Sequence, residues 1–220
     1  PKYSNIGENV EFSEYIQKLK PGEYRFRAYA KSRGGECNID WKPFKIESQI
    51  FTESFFPKTK PYWTGRVDTY NKIDEGIIVG KAALNKSKGW IKFDVSKIPY
   101  NAQIQKTKLK YYINKISSEP EKFELCFSIL TIDPENSKAN TLRNEIINLN
   151  NFIDKCENCG ERLGWEEIDL TNILKNQLQN NILNGWIAIG LFEFNEDADN
   201  CHIHGYSGNS PELIVTYTNN

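Results

Sequence analysis

Gly89-Trp90-Ile91-Lys92-Phe93-Asp94-Val95-Ser96-Lys97-Ile98-Pro99 decides the class of this chain. In an extended backbone Ile91, Phe93 and Val95 point one way and Trp90, Lys92 and Asp94 the other. Strict alternation with β-branched and aromatic residues predicts a strand with one face on a core. Pro99 has no N–H to give to a ladder, so the strand ends there. A second alternating run follows at once, with Leu109, Tyr111 and Ile113 set against Lys108, Lys110 and Tyr112. Two adjoining runs of this kind predict a mostly β chain.

The rest of the chain extends the pattern. Downstream, Phe123 to Leu130 reads as a strand with Phe123, Leu125, Phe127 and Ile129 inward and Cys126 on the other side. A long polar insertion, 133–163, holds a short helical stretch within 139–151. Trp165 to Thr171 returns to strand. Leu170, Ile173, Leu174 and Leu178 then follow helical spacing, with Asp169 or Thr171 placed to cap. Trp186 to Phe194, Cys201 to Tyr206 and Leu213 to Thr218 complete the strands. Upstream, Val67 to Tyr70 and Ile77 to Gly80 are extended. Residues 46–64 read as a linker, because Pro57 and Pro61 interrupt regular structure. Its aromatics Phe51, Phe55, Phe56, Tyr62 and Trp63 are expected to wedge between two domains.

The N-terminal segment, 1–45, has a candidate strand at Val10 to Ile16, a turn at Lys20-Pro21-Gly22-Glu23 and an alternating run from Tyr24 to Ala30. The pattern from Leu19 to Phe44 resembles the final hairpin of a fibronectin type III or immunoglobulin-like module. Such a sandwich has about seven strands. The segment is therefore expected to be the C-terminal part of one, unable to enclose a core alone.

Composition bounds the function. The 220 residues are 39% hydrophobic and 13% aromatic, enough for a sizeable core. The formal net charge is −1 with no basic block, which argues against a nucleic-acid partner. No apolar run approaches the roughly 18 residues of a membrane helix, so no membrane insertion is expected. No secretory signal is visible. A chain that begins with Pro1 and contains no Met reads as a processed piece of something longer. Five cysteines are an odd count and not a disulfide framework for a domain this size, though one or two bridges stay open.

Four landmarks then stand in order. They are Val67-Asp68-Thr69-Tyr70 with Ile78-Val79-Gly80, and Trp90 to Pro99 running into Ala102 to Tyr112. Next come Trp165 to Thr171 with Asn184 to Leu191, and Gly205 to Tyr217. Their order and spacing over residues 65 to 218 resemble the DNRLRE-type domain, an extracellular β-sandwich module of bacterial and archaeal surface and secreted proteins, related to carbohydrate-binding modules. The resemblance implies a jelly-roll β-sandwich with one short helix over 65–220, and a secreted or cell-surface location. The chain departs from that family in lacking a middle Trp…Ile-Thr-Trp stretch and in carrying a Cys pair in the insertion.

Candidate sites follow from residue chemistry. Tyr62, Trp63 and Tyr112 are candidate sugar-binding aromatics, since ring faces suit the apolar faces of sugars. Cys156, Cys159, His202 and His204 have the donor types of a structural zinc site, though a second knuckle is missing and a disulfide is the competing state. Asp197 and Asp199, in the loop Glu193 to Asn200, offer oxygen ligands to calcium, against the plain reading of a solvated loop. Calcium or zinc would be structural. Among the carboxylates Glu166, Glu167 and Asp169, a glycosidase would need two facing each other across a sugar, whereas Glu166 and Glu167 point to opposite faces of a strand; no Ser-His-Asp arrangement, phosphate-binding Gly loop or nucleotide fingerprint is present, so an enzyme is not expected. The expected function is a non-catalytic carbohydrate-binding module whose partners are a polysaccharide or neighbouring modules of the same surface protein. The alternative is a structural spacer in an adhesin, surface layer or filament, and a third reading is the accessory domain of a hydrolase or lyase.

Overall fold

The computed structural model describes residues 19–82, 85–116, 123–148, 152–158, 163–193 and 200–219. The chain divides between Gln49 and Ile50 into two compact units.

In the first unit β1 (Gly22–Phe26) pairs antiparallel with β4 (Lys42–Ile46), and β2 (Tyr29–Ser32) with β3 (Gly35–Asn38). The run expected as one strand from Tyr24 to Ala30 breaks at Arg27 and Ala28, where the chain changes partner and Ala28 accepts a hydrogen bond from the Ile39 N–H instead. Tyr24 stacks on Phe44 at 5.4 Å and Phe26 meets it edge-on. No residue described in this unit is fully buried.

The second unit, Ile50–Asn219, is the expected β-sandwich. In chain order its strands are β5 (Ile50–Phe55), β6 (Thr64–Val67), β7 (Lys72–Asp74), β8 (Ile77–Ala82), β9 (Asn85–Asp94), β10 (Ala102–Ile116), β11 (Glu124–Leu130), β12 (Phe152–Asn158), β13 (Gly164–Asp169), β14 (Trp186–Glu193), β15 (Asn200–Ile203) and β16 (Glu212–Asn219). The helices are α1 (Ala139–Ile146) and α2 (Thr171–Asn181). All pairings are antiparallel. One half runs β12-β11-β14-β9-β6-β7, the other β8-β15-β10-β16-β5, with β13 on the far edge of β10. β8 also pairs with β9, so the sheet curls from one half into the other.

Alternation decides what the halves bury. Ile91, Phe93, Leu125, Phe127, Ile187 and Ile189 of the first half meet Leu109, Tyr111, Ile113, Leu213 and Val215 of the second. Tyr111 and Phe127 touch across the gap at 5.8 Å. Leu174 and Leu178 of α2 join this core. The Asp169 carboxylate accepts the Thr171 N–H as that helix begins.

Three expectations change. First, the stretch 46–64 is not a linker throughout: β5 pairs with β16, Phe51 stacks on Tyr217, and Phe55 is core. Second, β9 is buried on both faces. Trp90, Val67, Cys126 and Ala188 form a second apolar cluster, roofed by Leu142 and Ile146 of α1, the short helix expected within 139–151. Third, Lys92 is only 3% exposed. Its ammonium lies 2.7 Å from Asp133 and 3.0 Å from Glu135, with the rings of Trp63 and Trp186 within 5.3 Å. Beside it the Lys72 ammonium donates to the carbonyls of Pro134, Glu135 and Ser137 at 2.8, 3.1 and 2.9 Å and lies 4.1 Å from the Tyr62 ring.

Candidate functional site

The outward side chains of the second half form a row that crosses the strands. β13 and β10 pair with Tyr112 opposite Trp165, and their rings meet edge-on at 5.4 Å. Immediately after β15, the His204 N–H donates to the Tyr112 carbonyl, and the imidazole lies 5.0 Å from the Tyr112 ring. Trp165 is 45% exposed, with the Lys110 ammonium 4.6 Å from its ring. A large aromatic open to solvent on a sheet face, with a tyrosine edge-on beside it and an imidazole beyond, is the kind of surface that ligands use.

The row runs into a pocket of about 520 Å³ whose polar lining includes Arg66, Asp74, Glu75, Asn114, His202 and His204. Its walls are fixed by hydrogen bonds. The buried Thr64 hydroxyl donates to the Glu75 carbonyl at 2.6 Å and accepts the Tyr206 N–H at 3.1 Å. The Asp74 carboxylate accepts the Tyr62 N–H and the Tyr206 hydroxyl. Glu75 accepts from the Ser207 hydroxyl. Gly205 lies against the Glu75 carbonyl, where any Cβ would collide. Both Tyr62 and Glu75 hold left-handed backbone, at φ 66° and 82°, a strain tolerated only where surrounding contacts over-determine it.

The two imidazoles have assigned faces. Asn200 donates its amide to the Lys81 carbonyl, so its oxygen accepts from His202 Nε2, 2.8 Å away, and Nδ1 of that ring is left as an acceptor. Burial, then the positive charges of Lys115 and Arg66, push the His202 imidazole down in pKa. His204 Nδ1 accepts the Asn209 N–H, which leaves Nε2–H as a donor. Arg66 pairs through its backbone with Ile73 and Gly89, and its guanidinium charge acts on Asp68 and His202. The pocket thus combines donors (Arg66, Asn114, His204) with acceptors (Asp74, Glu75, His202). A polyhydroxylated ligand needs both kinds. Desolvation, followed by the hydrogen bond to Asp74, raises the Tyr206 phenol, so it stays protonated as a donor.

The expected site residues separate. Tyr112 sits at the centre of the row. Trp63 is 5% exposed and has Lys58 and Lys92 over its ring, so it packs the fold and offers no face to a sugar. Tyr62 is a structural link: its N–H goes to Asp74, its carbonyl accepts from Trp90 Nε1, and Lys72 covers its ring. Cys156 is bonded to Cys126 across the β11–β12 pairing, which removes its thiolate from the expected zinc set. His202 and His204 each have one nitrogen engaged. Among the described residues no group of three or more metal-ligating side chains converges. Cys159, Asp197 and Asp199 lie outside the described residues.

Trp165, Arg66 and Asn114 are the residues that sequence reasoning missed. Trp165 shares outward parity with Glu167 and Asp169, a signal present in the strand itself. Arg66 and Asn114 reach the pocket from strands far apart in the chain and carry no local signal. Compared with known proteins, the chain matches no family model and no curated protein.

Proposed function

We propose that this chain is a non-catalytic carbohydrate-binding module of a secreted or cell-surface protein. The single observation behind the reading is the Trp165–Tyr112–His204 row, exposed at Trp165 and half-buried beyond it, leading into a pocket of mixed donors and acceptors. Aromatic faces take the apolar sides of sugar rings, while fixed polar groups take the hydroxyls. The resemblance of residues 65 to 218 to DNRLRE-type domains supports the same reading, and the Cys126–Cys156 disulfide supports an oxidising, extracellular setting. The burial of Trp63 supports the rival reading, a structural spacer of an adhesin or surface layer.

Titration calorimetry against a panel of soluble β-glucan, xylan, mannan, chitosan and polyuronate tests the proposal. At least one should bind, and Trp165→Ala or Tyr112→Ala should weaken it by about ten-fold or more, the equivalent of about 1.4 kcal/mol. Trp63→Phe, a packing change, should leave affinity within about two-fold. A folded chain that binds none of the panel makes the spacer the better account.

A further inference from the structure

Lys92 is a buried lysine in the middle of the sheet. It stands opposite Ala188 of β14, and its N–H donates to the Trp63 carbonyl at 2.7 Å. The Trp63 and Trp186 rings lie 4.9 and 5.3 Å from its ammonium. Two carboxylates face that ammonium from the turn after β11. Asp133 is the nearer, at 2.7 Å against 3.0 Å for Glu135, and the better covered, with 23% of its side chain exposed against 39%. The Asp133 carboxylate is held at both oxygens. Oδ1 accepts the Glu135 N–H and Oδ2 the Asn136 side-chain amide, each at 3.0 Å. The Ser137 hydroxyl donates to the Asp133 carbonyl at 2.6 Å, and Lys72 binds the carbonyls of the same turn. The candidate glycan site uses none of these groups.

An ammonium and a carboxylate drawn out of water are costly to keep as ions. Such a pair is also one water away from an amide. Fixed contact supplies the effective concentration that this condensation lacks in solution. We infer that the Lys92 and Asp133 side chains condense into an amide, with Glu135 as the proton carrier. Glu135 Oε2, 3.0 Å from Nζ, takes one proton from the ammonium and passes it to Asp133 Oδ1. A neutral amine then faces a neutral acid. The nitrogen lone pair attacks Asp133 Cγ, one bond beyond the Oδ1 atom it already touches. Negative charge that develops on Oδ2 is met by the Asn136 amide. Glu135 moves a second proton from nitrogen to Oδ1, the Cγ–Oδ1 bond breaks, and water leaves. The third ammonium proton stays on the amide nitrogen. Glu135 ends as it began, and no oxidant or activating group is consumed. The bond ties β9 to the turn after β11 across β14, which lies between them.

The test is the intact mass of the full chain, its disulfide reduced, after incubation in the folded state until the mass is constant. The chain should weigh one water less than its sequence. Trypsin does not cut after an acylated lysine, so residues 89–97 should stay uncut at Lys92 and be joined to residues 123–138. Lys92→Arg keeps the charge without an amine to acylate, and should show the full mass. Proton transfer by a positioned carboxylate contributes roughly 10²–10⁴-fold, so Glu135→Gln should slow the loss of water by about a hundred-fold or more after a short cell-free synthesis. A wild-type chain that is folded by circular dichroism yet keeps its full mass, with trypsin cutting after Lys92, overturns the inference and leaves an ion pair. A lost water that maps to any other pair overturns it as well. A bond that forms as fast in Glu135→Gln as in the wild type overturns the part given to Glu135.

Discussion

Thr64 holds the pocket together with one hydroxyl. It gives its proton to the Glu75 carbonyl and receives the Tyr206 N–H, from inside a fully buried position. Thr64→Val keeps the shape and deletes the hydroxyl, leaving a carbonyl and an N–H unpartnered. The expected cost is about 1–3 kcal/mol, readable as a lowered urea midpoint, and Thr64→Ser should recover most of it. Asp94 offers a second test at the same scale. Burial raises its carboxyl, but hydrogen bonds from the Lys58 ammonium and from Ser96 outweigh it and hold the group down to about 2. The ionised form therefore stabilises the fold fully above the ordinary value of 3.8, and that contribution disappears as pH falls through about 2. The pair is partly exposed, so about 1 kcal/mol should be lost between those limits. Lys58→Met should flatten that part of a stability curve measured against pH. A curve of unchanged slope would show that the ion pair contributes nothing.

At the scale of elements, β12 is an edge strand fastened to β11 by the Cys126–Cys156 bridge. Closing a loop of this size restricts the unfolded chain by about 3–4 kcal/mol in the chain-entropy account. Cys126→Ala with Cys156→Ala should lower unfolding free energy by up to that amount. Amide exchange should accelerate in β12 well before it does in β9 or β14. Elements also show what a sequence can and cannot carry. The inward face of β9 was legible because Ile91, Phe93 and Val95 alternate within one strand. Its other face was not, because Lys92 and Asp94 look solvent-facing. The cover over Trp90 and Lys92 comes from Trp63, the Asp133–Ser137 turn and α1, all remote in sequence. The site divides the same way. Tyr112 follows from strand parity, whereas its contact with Trp165 depends on the register of β10 against β13, and the pocket on loops that meet only after folding.

On the scale of the whole molecule, the two units differ in what they enclose. Ile50–Asn219 has a continuous core drawn from both halves of the sandwich, with a second cluster beneath α1. In the first unit the described strands form two separate pairs without a buried residue. Two-stranded ribbons are marginal in water, while larger sheets with an apolar face stand alone. A fragment of residues 50–219 should therefore unfold cooperatively at a midpoint within a few degrees of the whole chain, as read by circular dichroism. A fragment of residues 19–49 should show no cooperative transition.

The Lys72 ammonium, seated on three carbonyls under the Tyr62 ring, gives the Asp133–Ser137 turn a positive charge that is covalently tethered. A free ion in such a seat can be drawn off by a chelator or diluted away. A tethered one keeps the same local concentration whatever surrounds the protein. The geometry of this turn is accordingly indifferent to hardness of the water, to dialysis and to competition from other solutes, so the roof over Trp90 and Lys92 is a permanent fixture of the fold.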